Sequence, residues 1–190
     1  MEMKCFPITY QFDTMQCGIA CLQMICKYYG RDYSLSYLSG ICTSSAEGVS
    51  LHGINETAIQ LGFHTLCARL DIKDTMEMPL PCILHWNQNH FVVLYNVKKG
   101  NKFYVGDPGK GLVTYNLEEF KLHWISTSSN GEDRGIAMLL ETTPAFFTYK
   151  MEDEENTKEK RSFRFLLGYV RKYRKYFGQI ILGLLVGSLL

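Results

Sequence analysis

No excess of charge of either sign marks this chain: 20 lysines and arginines face 19 aspartates and glutamates. A nucleic-acid binder needs a basic face to meet phosphates, so the balance argues against that class. Regular cysteine pairing is also missing. Cys5, Cys17, Cys21, Cys26, Cys42, Cys67 and Cys82 are odd in number, scattered, and contain no CxxC pair. That excludes a disulfide framework and points to a reducing cytosol for residues 1 to 150. Cys17, Cys21 and Cys26 share one stretch, but a zinc site there would draw its other ligands from scattered histidines. Met1 to Tyr10 lacks the basic, apolar, small-residue order of a secretory signal.

What is present describes a globular protein. Hydrophobic residues make up 46% and aromatics 13%, too many for a disordered chain. The 190 residues suffice for one well-buried domain and an appendage. Three helices are predicted first. One spans 17–29, with Cys21, Met24, Ile25 and Tyr28 on one face and Gly30 as its stop. A short second begins at Ser34 or Ser36 and runs to Ile41. A third covers 50–61, burying Leu51, Ile54, Ala58 and Leu61. After Gly62 the period changes: Leu66, Ala68 and Leu70 alternate, and 82–86, 90–97, 102–105, 112–115 and 135–141 read as strands. Leu117–Trp124 is predicted helical. Helices first and consecutive antiparallel strands later imply an α+β fold.

From Thr142 the pattern breaks up. A domain over 1–145, a charged linker over 146–161 and an amphipathic, basic segment over 162–190 are expected. Lys158, Lys160, Arg161, Arg164, Arg171, Lys172, Arg174 and Lys175 crowd ahead of the apolar run from Ile180 to Leu190. That run is shorter than the about 20 residues that cross a bilayer. It is expected to be the start of a transmembrane helix, its basic flank on the cytosolic side. A hydrophobic terminal helix folded onto the domain is the alternative.

The chemistry concentrates around Cys17. A cysteine in the first turn of a helix feels unpaired backbone N–H groups, which favour thiolate. Gly18 behind it leaves room for a substrate backbone. Gln11, six residues upstream, can aim its amide at the same place and, with the Cys17 N–H, form an oxyanion hole. A thiolate peptidase also needs a base. His90 opens an apolar strand after Asn89, and Asp107 before Pro108 is placed to orient its imidazole. His85 is the alternative base, but within Ile83-Leu84-His85-Trp86 it reads as strand interior. Gly106-Asp107-Pro108-Gly109-Lys110-Gly111 superficially suggests a phosphate loop. Tyr104 occupies its first-glycine place and Gly111 its Ser/Thr place, so a tight turn is expected instead.

The run Gln11 to Leu22, the helix end Tyr28-Tyr29-Gly30, the pair His90-Phe91 and the turn Asp107-Pro108 resemble the peptidase C39 family. The likeness extends from Ile8 to Thr143, and the tail from Phe163 resembles the beginning of the first membrane helix of peptide exporters. The resemblance implies a papain-like α+β cysteine peptidase at the N-terminus of an ABC transporter. Such a domain cuts a bacteriocin-type leader peptide after a Gly-Gly pair, and the transporter exports the rest. It also implies roles: Cys17 as nucleophile, His90 as general base and acid, Asp107 as the orienting group, Gln11 as oxyanion-hole donor. Gln16 departs from the acidic residue common before the cysteine, which is expected to touch leader preference or local charge and to leave activity in place. No cofactor or metal is expected on the peptidase domain; ATP and Mg²⁺ belong to a nucleotide-binding domain outside this sequence. The expected partners are a leader peptide, a membrane and, for the whole transporter, a second copy; no nucleic acid is expected. The localisation implied is the cell membrane, with the peptidase domain on the cytoplasmic side.

Two competing expectations remain. One is an idle leader-binding module, which would have lost the cysteine or the histidine; both are present here. The other is a soluble papain-like peptidase with no transporter.

Overall fold

The computed structural model describes residues 6–45, 48–98, 101–129 and 132–149. The charged linker beyond Tyr149, the basic cluster and the apolar run from Ile180 lie outside them, as do Cys5 and the middle of the 98–101 turn. The chain divides after Tyr149, and everything described belongs to the first unit. Among the described residues no helix is long and apolar enough to cross a membrane.

Helix α1 spans Cys17–Tyr28 and follows directly from a 3₁₀ turn, Thr14–Gln16. Asp13 starts that turn by accepting from the Met15 N–H at 2.8 Å. α1 is more central than its one-sided pattern implies: Cys17 through Cys26 are all buried, while Tyr28 is exposed. It ends at Gly30, whose φ of +89° lets Arg31 N–H reach the Cys26 carbonyl at 2.8 Å and Gly30 N–H the Lys27 carbonyl at 3.0 Å. α2 covers Leu35–Ile41, capped by Ser34. A two-stranded ribbon, β1 (Ser44–Ser45) and β2 (Gly48–Val49), leads to α3, Leu51–Gln60, capped by Ser50. Ile54, Ala58 and Leu61 are buried as expected, whereas Leu51, at the first turn, is only half-buried.

The remaining strands are β3 (Phe63–Leu70), β4 (Cys82–Trp86), β5 (His90–Lys98), β6 (Lys102–Asp107), β7 (Gly111–Tyr115), β8 (Ile125–Ser129) and β9 (Glu132–Thr142). They form one antiparallel sheet in the order β3-β9-β4-β5-β6-β7, with β8 paired to the first half of β9. α4, Leu117–Trp124, starts with a full capping box between Asn116 and Glu119. Its Phe120 and Trp124 join Leu84, Trp86, Val92, Leu94, Phe103 and Val105 in one core. α1 packs on β5, where Phe91 approaches Gly18. Alternate residues of β4 and β5 therefore meet apolar partners on both faces, which is why these strands read as unbroken apolar runs.

Three expectations change. Leu66 does not alternate inward: it is 57% exposed, and Phe63 is the residue that anchors β3 to the core. β8 went unread because Ile125-Ser-Thr-Ser-Ser has no apolar alternation; its pairing with β9 makes it a strand. The expected boundary at 145 falls inside α5, Pro144–Thr148, which the breakdown of periodicity concealed. Thr143 caps α5, Pro144 opens it, and Phe146 packs at 4.4 Å between ring centroids on Phe63.

Candidate functional site

Three segments distant in sequence meet where α1 begins, β5 begins and β6 ends. Antiparallel pairing, with Val93 opposite Gly106, brings the start of β5 and the end of β6 to the same edge of the sheet, where His90 and Asp107 lie. His90 enters from a tight hairpin in which Asn87 and Gln88 both have left-handed φ, 49° and 63°. Asn87 offsets that strain by holding the end of α4: its N–H donates to the His123 carbonyl at 2.9 Å, and its Oδ1 meets His123 Nδ1 at 2.8 Å. On the other side, the Gln11 N–H donates to the Pro108 carbonyl at 3.1 Å, tying the segment before α1 to the turn after β6.

His90 Nε2 lies 2.8 Å from Asp107 Oδ1. The Cys17 side chain is near enough to the imidazole to add to the rise of its pKa. With Nε2 engaged by Asp107, Nδ1 is the ring nitrogen left to face the sulfur. Burial by itself would lower the His90 pKa, but the hydrogen bonds to Asp107 and Cys17 and the charge of Asp107 outweigh it and push it up to about 9. His90 is therefore an imidazolium at neutral pH. Burial would raise the Asp107 carboxyl; instead the His90 hydrogen bond, the Gly109 N–H at 2.8 Å and the charges of His90 and Lys110 hold it below the ordinary range.

Every expected site residue comes to this corner. Cys17 is buried at the start of α1, although the 3₁₀ turn before it makes the helical segment longer than expected. Gln11 borders an open cleft of about 340 Å³ together with Asn89, His90, Asp107, Gly109 and Lys110. Its Oε1 is buried without a protein partner among the described residues. Gly18, by contrast, does not clear space for substrate. A Cβ there would stand inside contact distance of Ile54 Cδ1, 3.0 Å from Ile54 Cγ1 and 3.3 Å from Phe91. Its lack of a side chain lets α1 pack on α3 and β5, and so sets the position of Cys17 relative to His90.

His85 lies in β4 against the Phe91 ring, with its pKa lowered by burial. Cys21 is fully buried one turn below Cys17, its thiol pushed up by burial and by the nearby Cys17 and Asp107. Burial also pushes the Cys26 thiol up to about 12. These are core thiols, and no group of potential metal ligands occurs among the described residues. The Asp107–Gly111 stretch is the expected turn, closed by Lys110 N–H to the Asp107 carbonyl at 3.1 Å. Gly109 was the participant that sequence reasoning missed. Its signal is the Asp-Pro-Gly order, in which an aspartate accepts from the N–H two residues on.

A family model described as the peptidase C39 family matches residues 5–129. The colicin V secretion/processing ATP-binding protein CvaB of Escherichia coli is 40% identical over 118 residues, 62% of this chain and 17% of that protein. This chain thus spans about a sixth of that relative's length. The double glycine motif protease of an AMS/PCAT transporter, solved in complex with the leader peptide, shares 30% identity and a TM-score of 0.62, over 72% of this chain and 91% of that one. The peptidase domain of Streptococcus ComA, a bi-functional ABC transporter involved in a quorum sensing pathway, shares 27% identity and a TM-score of 0.61, over 73% and 99% of the two chains. The order of helices and strands, the Cys17–His90–Asp107 corner and these likenesses agree: the chain belongs to the peptidase C39 family and carries its papain-like cysteine peptidase domain.

Proposed function

We propose that this chain cuts leader peptides immediately after a Gly-Gly pair, as the N-terminal part of an ABC transporter that exports the mature peptide. The observation that carries the catalytic part is the imidazole of His90, held by Asp107 through Nε2 at 2.8 Å and near enough to Cys17 for the sulfur to raise its pKa. In this reading the Cys17 sulfur attacks the scissile carbonyl carbon. The Gln11 amide, turned to present its NH₂, and the Cys17 backbone N–H hold the oxyanion. His90 gives its proton to the departing amine, which leaves as the new N-terminus. Water, deprotonated by the now neutral His90, then attacks the thioester; the C–S bond breaks, the leader leaves as its carboxylic acid, and the Cys17 sulfur anion and protonated His90 are restored. Asp107 keeps the ring oriented and stabilises its charge.

A requirement for glycine on the acyl side implies a cleft too narrow for side chains at the two residues before the cut. The cut draws only on protein groups; ATP and Mg²⁺ would act on a nucleotide-binding domain outside this chain. The names of the transporter relatives and the basic-then-apolar order after Arg161 support a membrane location with this domain on the cytoplasmic side.

The test is incubation of the purified chain with synthetic Gly-Gly leader peptides, with cut sites read by mass spectrometry. Cleavage after the second glycine is expected, and Cys17→Ala should abolish it while the domain stays folded and still binds leader. Turnover by that variant would remove Cys17 from the mechanism.

A further inference from the structure

Two hollows flank the start of α1, and they share no lining residue. The smaller, about 170 Å³, runs along Met15, Gln16, Ile19 and Gly48. The larger, about 340 Å³, is walled by His90, Gln11, Asn89, Gly109 and Lys110. The group that protonates the departing amine must stand over the amine half of the substrate. His90 lines only the larger hollow, so that hollow lies on the departing side, and the residues after the cut must pass through it.

Its chemistry is one-sided. Asp107 is the sole carboxylate lining it among the described residues, and that group is 2% exposed and already engaged by His90 and the Gly109 N–H. Facing the opening instead are the exposed ammonium of Lys110 and the imidazolium of His90. The exposed side chain of Asn89 adds hydrogen-bonding groups at the rim. The turn carrying Lys110 is pinned at both ends, by Lys110 N–H to the Asp107 carbonyl and by Gln11 N–H to the Pro108 carbonyl. The ammonium is thus tethered to a fixed backbone beside the reacting atoms.

We propose that this cleft is a specificity site for the first two residues of the mature peptide, that it favours an acidic side chain there, and that Lys110 is the residue that sets this preference. The proposal rests on the leader-cutting reading above. A lysine in the same position of the substrate would face two like charges, so discrimination comes from repulsion as well as attraction.

Peptides identical through the Gly-Gly and carrying Asp, Ala or Lys at the first or second following position separate the possibilities. At low salt the intact enzyme should cut the Asp peptides with kcat/KM about three- to tenfold above the Lys peptides, as expected when one partly solvated ionic attraction is exchanged for a repulsion. Raising the salt should compress that ratio, because the Debye length falls to about 3 Å at 1 M. Lys110→Glu should reverse the order. Lys110 also helps keep Asp107 ionised, so the variant's absolute rates will move, but the Asp-to-Lys ratio within one enzyme cancels that effect. An Asp-to-Lys ratio unchanged by Lys110→Glu overturns the proposal while leaving the leader-cutting reading in place. If no Gly-Gly peptide is cut at all, that reading fails and this one falls with it.

Discussion

Replacing Asp107 with asparagine isolates the charge of the third residue while preserving its shape. The asparagine side chain could still accept a hydrogen bond from His90 Nε2 and from the Gly109 N–H, the two contacts Asp107 makes at 2.8 Å. What disappears is the negative charge that helps raise the His90 pKa from 6.5 to about 9 against the opposing effect of burial. A histidine whose pKa is higher folded than unfolded contributes stability that is fully present below 6.5 and lost as pH rises through the folded value. With these values the contribution at pH 7 is about 2–3 kcal/mol, and about 2 kcal/mol of it vanishes by pH 9. The His90 side chain is only 20% exposed, so solvent screening takes little from this figure. Urea unfolding of the intact chain and of Asp107→Asn at pH 7, 8 and 9 should show the loss between pH 7 and 9 falling to under about 1 kcal/mol in the variant. Burial raises the Cys21, Cys26 and Cys82 thiols and so also costs stability at high pH, but Cys26 and Cys82 do so equally in both proteins, and at Cys21 Asp107 is only the smallest of three causes. The descending alkaline limb of kcat/KM should move to lower pH in parallel. Stability curves of the two proteins that run parallel from pH 7 to 9 would refute the account of His90.

Two further substitutions test parts of the site that only packing reveals. Gly18→Ala should destabilise the domain by up to about 2 kcal/mol, since overpacking against Ile54 and Phe91 outweighs the about 1 kcal/mol that alanine gains in a helix; thermal unfolding that shows equal or greater stability would contradict this. Because Phe91 adjoins His90, kcat should fall more than KM rises. His85→Ala should retain turnover of a Gly-Gly peptide, whereas His90→Ala should lose at least about a hundredfold in kcat/KM; the reverse pattern would make His85 the base.

Much of this protein is legible residue by residue because the information is local. The stop at Gly30, the start of the second helix at Ser34 or Ser36, the helix Leu117–Trp124 and the strand Cys82–Trp86 follow from spacing within a turn or two. Cys17, Gln11, His90 and Asp107 were nameable for a related reason: each sits in a short pattern, at a helix start, before a strand or in an Asp-Pro turn, whose chemistry is recognisable without its neighbours. The edges were less visible. β8 has too little apolar content to declare itself and is a strand because β9 lies beside it, while α5 is a short helix whose Thr-Pro opening was outweighed by the charged sequence that follows.

Composition and local pattern determined the α+β plan and singled out Cys17, His90, Asp107 and Gln11 as candidate reacting groups, since period, caps and turn residues act over a few bonds. Tertiary structure decided that His90 Nε2 meets Asp107, that Gly18 serves helix packing rather than substrate, and that Lys110 shares a cleft with His90. Those facts depend on the pairing of β5 with β6 and on α1 settling onto both α3 and β5. Contacts between segments tens of residues apart are set by the shape of the whole core, and no short stretch of chain encodes them.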